Sequence, residues 1–152
     1  MGIVNGTYSD TLALGDTTAD GRKDYTIDKQ RINDVSSGSI VIEVRNAMPV
    51  QVGVTLQLLD SGKQSLLRVP QSGAGLLVNA ASVDGEGNVT VPANSTVSFQ
   101  LNEVEVRQFN PAEYLTYAFS ILTAPGTPAV RFKTSDYVRI RVWSELLYRV
   151  NR

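Results

Sequence analysis

The chain contains neither cysteine nor histidine. Without cysteine it can form no disulfide, thiolate metal site or cysteine nucleophile. Without histidine it lacks the commonest general base and the commonest ligand of transition metals. Its serines do not lie in a Gly-x-Ser-x-Gly elbow. These absences predict that the protein is not an enzyme and has no resident cofactor, with calcium as the one exception considered below.

Long apolar runs are also missing. No stretch approaches the roughly 20 apolar residues that a membrane helix requires, so we expect no membrane insertion by this chain. The formal net charge is only -1, and nucleic-acid binding depends on a positive surface that neutralises phosphates. We therefore expect no nucleic-acid partner, and predict a protein partner or self-association instead.

The dominant positive signal is an alternation of apolar and polar residues with a period of two, which is typical of half-buried β-strands. The alternation is clearest in four segments, around Ile40–Val44, Val50–Leu58, Val97–Leu101 and Val138–Val142. Strands this short, separated by Gly- and Pro-rich turns, predict an all-β fold. We expect an immunoglobulin-like antiparallel β-sandwich of about eight to ten strands.

The breaks between strands have recognisable chemistry. Asn46-Ala47-Met48-Pro49 predicts a turn or a step between sheets, and 84–88 (Asp-Gly-Glu-Gly-Asn) predicts a hairpin. Asn102 followed by Glu105 is a capping box, which predicts one short crossover helix near 103–110. We expect a single domain over 1–152, in which 36–152 form the sandwich core and 1–35 contribute N-terminal strands or an arm.

A family resemblance rests on the turn motifs. The motifs are the run from Ser39 to Val50, the strand ending at 58–63, the 84–88 hairpin, the Pro-x-x-Ser-Thr strand at 92–99 and the closing strand at 135–142. Together they resemble immunoglobulin-like sandwich modules of bacterial exported or outer-envelope proteins of unknown function and, distantly, the desiccation-related sandwich family. The resemblance covers about 36–150. It implies a sandwich fold and a cell-envelope or extracellular location, with the cytoplasm as the open alternative.

The segment from Asp16 to Asp24 has the spacing of a calcium loop. Asp16, Asp20 and Asp24 occupy the first, fifth and ninth positions, with Gly21 at the sixth. The twelfth position, which should supply a bidentate glutamate, is Ile27. An acidic turn is therefore the simpler interpretation of this segment.

Arg139, Arg141 and Trp143 form the candidate interaction patch. If Val138, Ile140 and Val142 face the core, these three side chains share the outer face, where an aromatic ring beside guanidinium groups can bind anionic or planar partners. The alternative is that the three residues only contact their own chain.

Three functions follow from these observations. The first is a non-catalytic structural or protein-interaction module, in a bacterial cell-envelope protein. The second is a carbohydrate- or calcium-binding module, which the acidic 16–24 segment favours. The third is a subunit of a shell or fibre, because sandwiches with long edge strands assemble when a neighbour pairs with the edge.

Overall fold

The computed structural model describes residues 6–17, 23–25, 31–73, 75–122 and 130–149. In this part of the chain there are twelve strands, one α-helix and a 3-10 helix at Ile32–Asp34. The strands are β1 (Gly6–Ala13), β2 (Gly15–Thr17), β3 (Lys23–Tyr25), β4 (Val35–Asn46), β5 (Gln51–Leu59), β6 (Ser65–Val69), β7 (Leu76–Val78), β8 (Ser82–Val83), β9 (Val89–Val91), β10 (Ala93–Leu101), β11 (Tyr114–Leu122) and β12 (Val138–Tyr148), and the helix is α1 (Glu103–Arg107).

Two antiparallel sheets form the sandwich. The larger has the order β1-β11-β5, and β6 and β7 both pair with the other side of β5. The smaller has the order β10-β4-β12. The pairs β2–β3 and β8–β9 are separate two-stranded hairpins. The all-β antiparallel sandwich predicted from the sequence is confirmed.

The core lies between the inward rows of the two sheets. Ile42 and Val44 of β4 and Val52 and Val54 of β5 are completely buried, on the faces that the alternation predicts. Burial of one such side chain stabilises the folded state by about 1.5–3 kcal/mol. The outward residues Glu43 and Arg45 of β4 alternate with these, whereas Ser39 and Val41, also on the outward face, are buried as well.

Asn46 fixes the step from one sheet to the other. Its buried side chain donates hydrogen bonds to the carbonyl oxygens of Val50 and Asn79, both at 2.8 Å, and accepts one from the Met48 amide at 2.9 Å. The chain thereby leaves β4 in the smaller sheet and enters β5 in the larger one. The predicted step is confirmed.

The crossover helix α1 connects β10 in the smaller sheet to β11 in the larger. Its capping box is complete: the Asn102 carboxamide accepts from the Glu105 amide, and the Glu105 carboxylate accepts from the Asn102 amide. Glu103 accepts hydrogen bonds from Arg107 and Arg149, both at 2.5 Å, and so connects the helix to the end of β12. These contacts occupy both carboxylates with structural roles.

The strand count differs from the expected eight to ten because several strands have only two or three residues. The segment from Leu76 to Val83 is divided into β7 and β8, which pair with different strands. The hairpin at 84–88 is confirmed: the Asp84 carboxylate accepts from the amides of Glu86 and Asn88, and Gly87 has a positive φ of 83°. Of the predicted N-terminal strands or arm, residues 1–5, 18–22 and 26–30 lie outside the described residues.

Candidate interaction surface

The two sheets differ in width. The larger sheet is four strand positions wide and the smaller sheet is three. The larger sheet extends beyond the smaller one on the flank where β1 and β12 are the edge strands. A cleft on this flank has contributions from β1 and β11 on one wall and from β12 on the other. Among the described residues, no strand pairs with the outer edge of β12. The apolar wall formed by β1 therefore stays partly uncovered.

The cleft has a volume of about 510 Å³ and is lined mainly by apolar and aromatic side chains. Tyr8 and Leu12 from β1 are about half exposed, and Val142 from β12 is 38% exposed. The Tyr8 ring packs on Phe119 with centroids 5.1 Å apart, which fixes the aromatic wall. The full lining is Tyr8, Leu12, Leu56, Leu115, Tyr117, Phe119, Val138, Ile140 and Val142. Apolar surface of this kind is typical of interaction sites.

One carboxylate lies on the cleft side of β1. Asp10 is directly opposite Tyr117 in the β1–β11 ladder, and the Tyr117 hydroxyl donates a hydrogen bond to its carboxylate at 3.2 Å. Burial raises the pKa of Tyr117, and the negative charge of Asp10 raises it further. An inward-pointing charge on an edge strand discourages pairing with another chain, so β1 carries a protection that the inner row of β12 lacks.

Backbone polarity alternates along β12. The Ala47 amide donates to the carbonyl of Tyr137 at 2.9 Å, and the ladder then runs without irregularity to Leu147. In an antiparallel pair, residues bonded to the neighbouring strand alternate with residues whose N–H and C=O point away from it. Odd-numbered residues of β12 therefore bond to β4. The amides and carbonyls of Val138, Ile140, Val142, Ser144 and Leu146 point to the free edge.

The predicted patch residues lie together on the outer face of β12, each with a contact in its own chain. Arg139 lies over the ring of Tyr137, 5.7 Å from its centroid. Arg141 forms an ion pair with Glu43 at 3.6 Å.

Trp143 donates from its indole nitrogen to Glu145 at 3.4 Å and remains 41% exposed. The structure thus brings the three side chains of the patch to one face of one edge strand, next to the cleft. Their role in binding a partner stays a prediction.

The acidic 16–24 segment is only partly described. Asp16 and Asp24 are directly opposite each other in the backbone register of β2 and β3, while Asp20 lies outside the described residues. Within the described ranges, no cluster of three or more aspartates and glutamates could hold a metal ion. Calcium binding at this segment stays a prediction. Titration calorimetry with calcium measures it, with an Asp16→Asn variant as the control.

We name the free edge of β12 and the cleft beside it the open flank. The alternation at 138–143 predicts the outer face of β12, but the sequence does not predict the cleft. The alternate apolar and aromatic residues Tyr8, Leu12, Tyr117 and Phe119 are visible in the sequence as inward rows. Within the described strands none covers these residues, and this depends on the relative widths of the two sheets, which periodicity does not encode.

The described α-helix, α1, has five residues, and no helix in the described ranges is long and apolar enough to cross a membrane.

No protein-family model matches the chain, and no curated protein matches it in sequence. Among solved structures, the fold is similar to that of a "putative secreted protein" from Parabacteroides distasonis, at 11% identity and a TM-score of 0.50. The similarity covers 93% of this chain and 38% of the other, so the chain spans well under half of that protein. A structure of infectious bursal disease virus, Gx strain, has 11% identity and a TM-score of 0.36 over 95% of this chain and 27% of the other. The first similarity shows the β-sandwich fold, and the second adds nothing to it.

Proposed function

We propose that this chain is a non-catalytic protein-interaction module that binds an extended protein segment at the open flank. The observation that carries the proposal is the position of the β12 edge beside the uncovered apolar cleft. A bound strand would pair with the outward amides and carbonyls of β12, and its alternate side chains would enter the cleft. Main-chain hydrogen bonds supply affinity in this mode of recognition, and the side-chain pockets supply specificity.

The side chains around the open flank support a binding role over a catalytic one. Asp10 is the one carboxylate on the cleft side of the described flank, and it is bonded to Tyr117. Acid–base catalysis usually needs two groups with separated pKa values, and the described residues of the cleft include no second carboxylate. The carboxylates of Glu103 and Glu105 cap and anchor α1, where neither reaches the cleft lining.

We further propose that the module works in an exported or cell-envelope protein. Two observations support this location: the turn motifs resemble exported sandwich modules, and the fold is similar to that of a protein named as a putative secreted protein. Fractionation of the producing cells, with an antibody against the chain, tests it. Recovery in the soluble cytoplasm alone would contradict the proposed location.

Site-specific photocrosslinking in the producing cells tests the binding function. The backbone of Ser144 faces the free edge, so a photoreactive side chain at this position should crosslink to a defined peptide of a partner protein. Mass spectrometry identifies the peptide, and the same crosslink should form when the purified partner is mixed with the purified chain. Thr96, exposed on β10 at the opposite edge of the same sheet, is the matched control. Equal crosslinking at 96 and 144, or none at 144, would contradict the proposal.

A further inference from the structure

We propose that the segment bound at the open flank is β12 of a second copy of this chain, paired antiparallel about a two-fold axis at Val142. The inference rests on the proposed function and gives it a partner. The smaller sheets of the two copies would join at their β12 strands, which supplies the fourth strand position that the smaller sheet of one chain lacks.

The first argument is an unbalanced charge on the outer face. Arg45 and Arg139 are directly opposite each other in the β4–β12 ladder, and like charges in this position are destabilising. Among the described residues, neither has an ion pair with a carboxylate. Glu145, on the same face of β12, has a hydrogen bond to Trp143 but no ion pair with a described basic residue. The outer face at this edge therefore carries two adjacent cations, on β4 and β12, and an anion on β12, none of them ion-paired within the described residues.

The second argument is the register. Only the even-numbered residues of β12 present their backbone to the free edge, so that the even-numbered residues of two copies must bond to each other. An axis at Val142 pairs Val142 with Val142 of the second copy. It also places Arg139 opposite Glu145 of the second copy, twice by symmetry. Each unmatched anion then lies beside the unmatched pair of cations.

The remaining positions of this register are also complementary. Arg141 lies opposite Trp143 of the second copy, where a guanidinium on an indole face is attractive. On the inner face, Ile140 lies opposite Ser144 and Val138 opposite Leu146 of the second copy. The apolar side chains of the second strand thus enter the cleft that Val138, Ile140 and Val142 line. A shift of the axis by two residues, to Ser144, would place Arg139 opposite Arg149 and lose this match.

A third observation selects β12 rather than β1 as the pairing edge. Edge strands of soluble monomers are usually short or carry proline, a bulge or an inward charge. β12 has eleven residues, without proline and with only apolar residues and Ser144 in its inner row up to Leu146, and its one ladder irregularity lies beyond this row, between Leu147 and Tyr148. The other edge on this flank, β1, carries the inward charge of Asp10.

Charge exchange between two variants is the decisive experiment. Sedimentation equilibrium should show a dimer for the wild-type chain, and Arg139→Glu and Glu145→Arg should each raise the dissociation constant by about tenfold or more, because two attractions become two repulsions. Mixed in equal amounts, the two variants should form a heterodimer as stable as the wild-type dimer. Arg139→Glu also removes the like-charge pair with Arg45, so this variant should fold at least as stably as the wild type. Arg131→Glu makes the same charge change away from β12 and should leave dimerisation unchanged.

Two variants at the free edge give an independent readout. Ser144→Pro removes an outward amide without breaking a bond to β4, and should weaken dimerisation by roughly a hundredfold. Ser144→Ala keeps the amide and should dimerise like the wild type. A monomeric wild-type chain at the highest soluble concentration, an open-ended polymer, or mixing that restores no heterodimer would overturn the inference. The binding function is tested separately: it fails if position 144 crosslinks to no protein segment, or no better than position 96.

Discussion

Tyr117 donates a hydrogen bond to Asp10 beside the cleft of the open flank, across 3.2 Å, and the pair joins β1 to β11 at the centre of their ladder. The contact places a negative charge on the inner face of an edge strand. Both β1 and β12 border this cleft. The charge of Asp10 protects β1 against pairing with a strand of another chain, whereas the inner row of β12 has no such charge.

This pair predicts a loss of stability at alkaline pH. Because the folded-state pKa of Tyr117 is raised above its ordinary value of 10.0, its contribution is complete below pH 10 and is lost as the pH rises through the raised pKa. The free energy of unfolding, measured by urea titration between neutral pH and pH 11, should fall in the wild type. Tyr117→Phe should reduce that fall, and an equally steep fall in this variant would contradict the assignment.

Asn46→Ala should be among the most destabilising substitutions of a polar residue. It leaves the partly buried Met48 amide and the carbonyls of Val50 and Asn79 without their partner, and we expect a loss of about 3 kcal/mol. Urea unfolding measures the effect. Asn94→Ala is the control, because Asn94 is exposed on β10, and its effect should stay within about 0.5 kcal/mol. Similar effects for the two variants would refute the role of Asn46 as the sheet-step anchor.

Gly38 allows β12 to lie close to β4. A Cβ atom at this position would be 2.8 Å from the backbone oxygen of Glu145 and 2.8 Å from a methyl carbon of Leu146. Gly38→Ala should therefore destabilise the fold by about 1–3 kcal/mol, observed as a lower midpoint of thermal unfolding. A Cβ atom at Gly85 meets nothing within 4 Å, so Gly85→Ala should leave the midpoint nearly unchanged.

The hairpin at 84–88 predicts a loss of stability in acid. Hydrogen bonds from the amide and side chain of Asn88 lower the pKa of Asp84, and the hydrogen bond from Arg107 lowers the pKa of Glu103. Contributions of this sign are present above the unfolded-state pKa values and are lost as the pH falls through the lower folded-state values. The unfolding free energy should decline below about pH 4. Asp84→Asn should make the decline shallower, and an unchanged slope would contradict the part assigned to Asp84.

The sequence predicts those strands, turns and caps that depend only on residues close together in the chain. Alternation at 40–44 and 138–142 identifies the strands and their inner faces, because successive side chains of a β-strand point to opposite faces of the sheet. The capping box at Asn102 and the hairpin at 84–88 are equally local, since each depends on side chains within a few residues of the backbone groups that they bond. All of these predictions are confirmed.

The open flank depends on relations that local patterns do not contain. Asp10 and Tyr117 are far apart in the chain and meet only through the β1–β11 register. In the same way, the pairing of Arg45 with Arg139 requires the register of β4 and β12. The patch at Arg139, Arg141 and Trp143 could be predicted as a shared outer face, but its position at a free edge required the order of the strands.

Residue-resolved amide hydrogen exchange along β12 tests the central claim most directly. In dilute solution, the amides of Ile140, Val142 and Ser144 should exchange rapidly, while those of Arg141 and Trp143, bonded to β4, are protected. In concentrated solution, the even-numbered amides should become protected as well, because their partners are then supplied by a bound strand. The claim that β12 is a pairing edge would be contradicted if the amides of Val142 and Ser144 exchange rapidly at every concentration and no added protein slows their exchange.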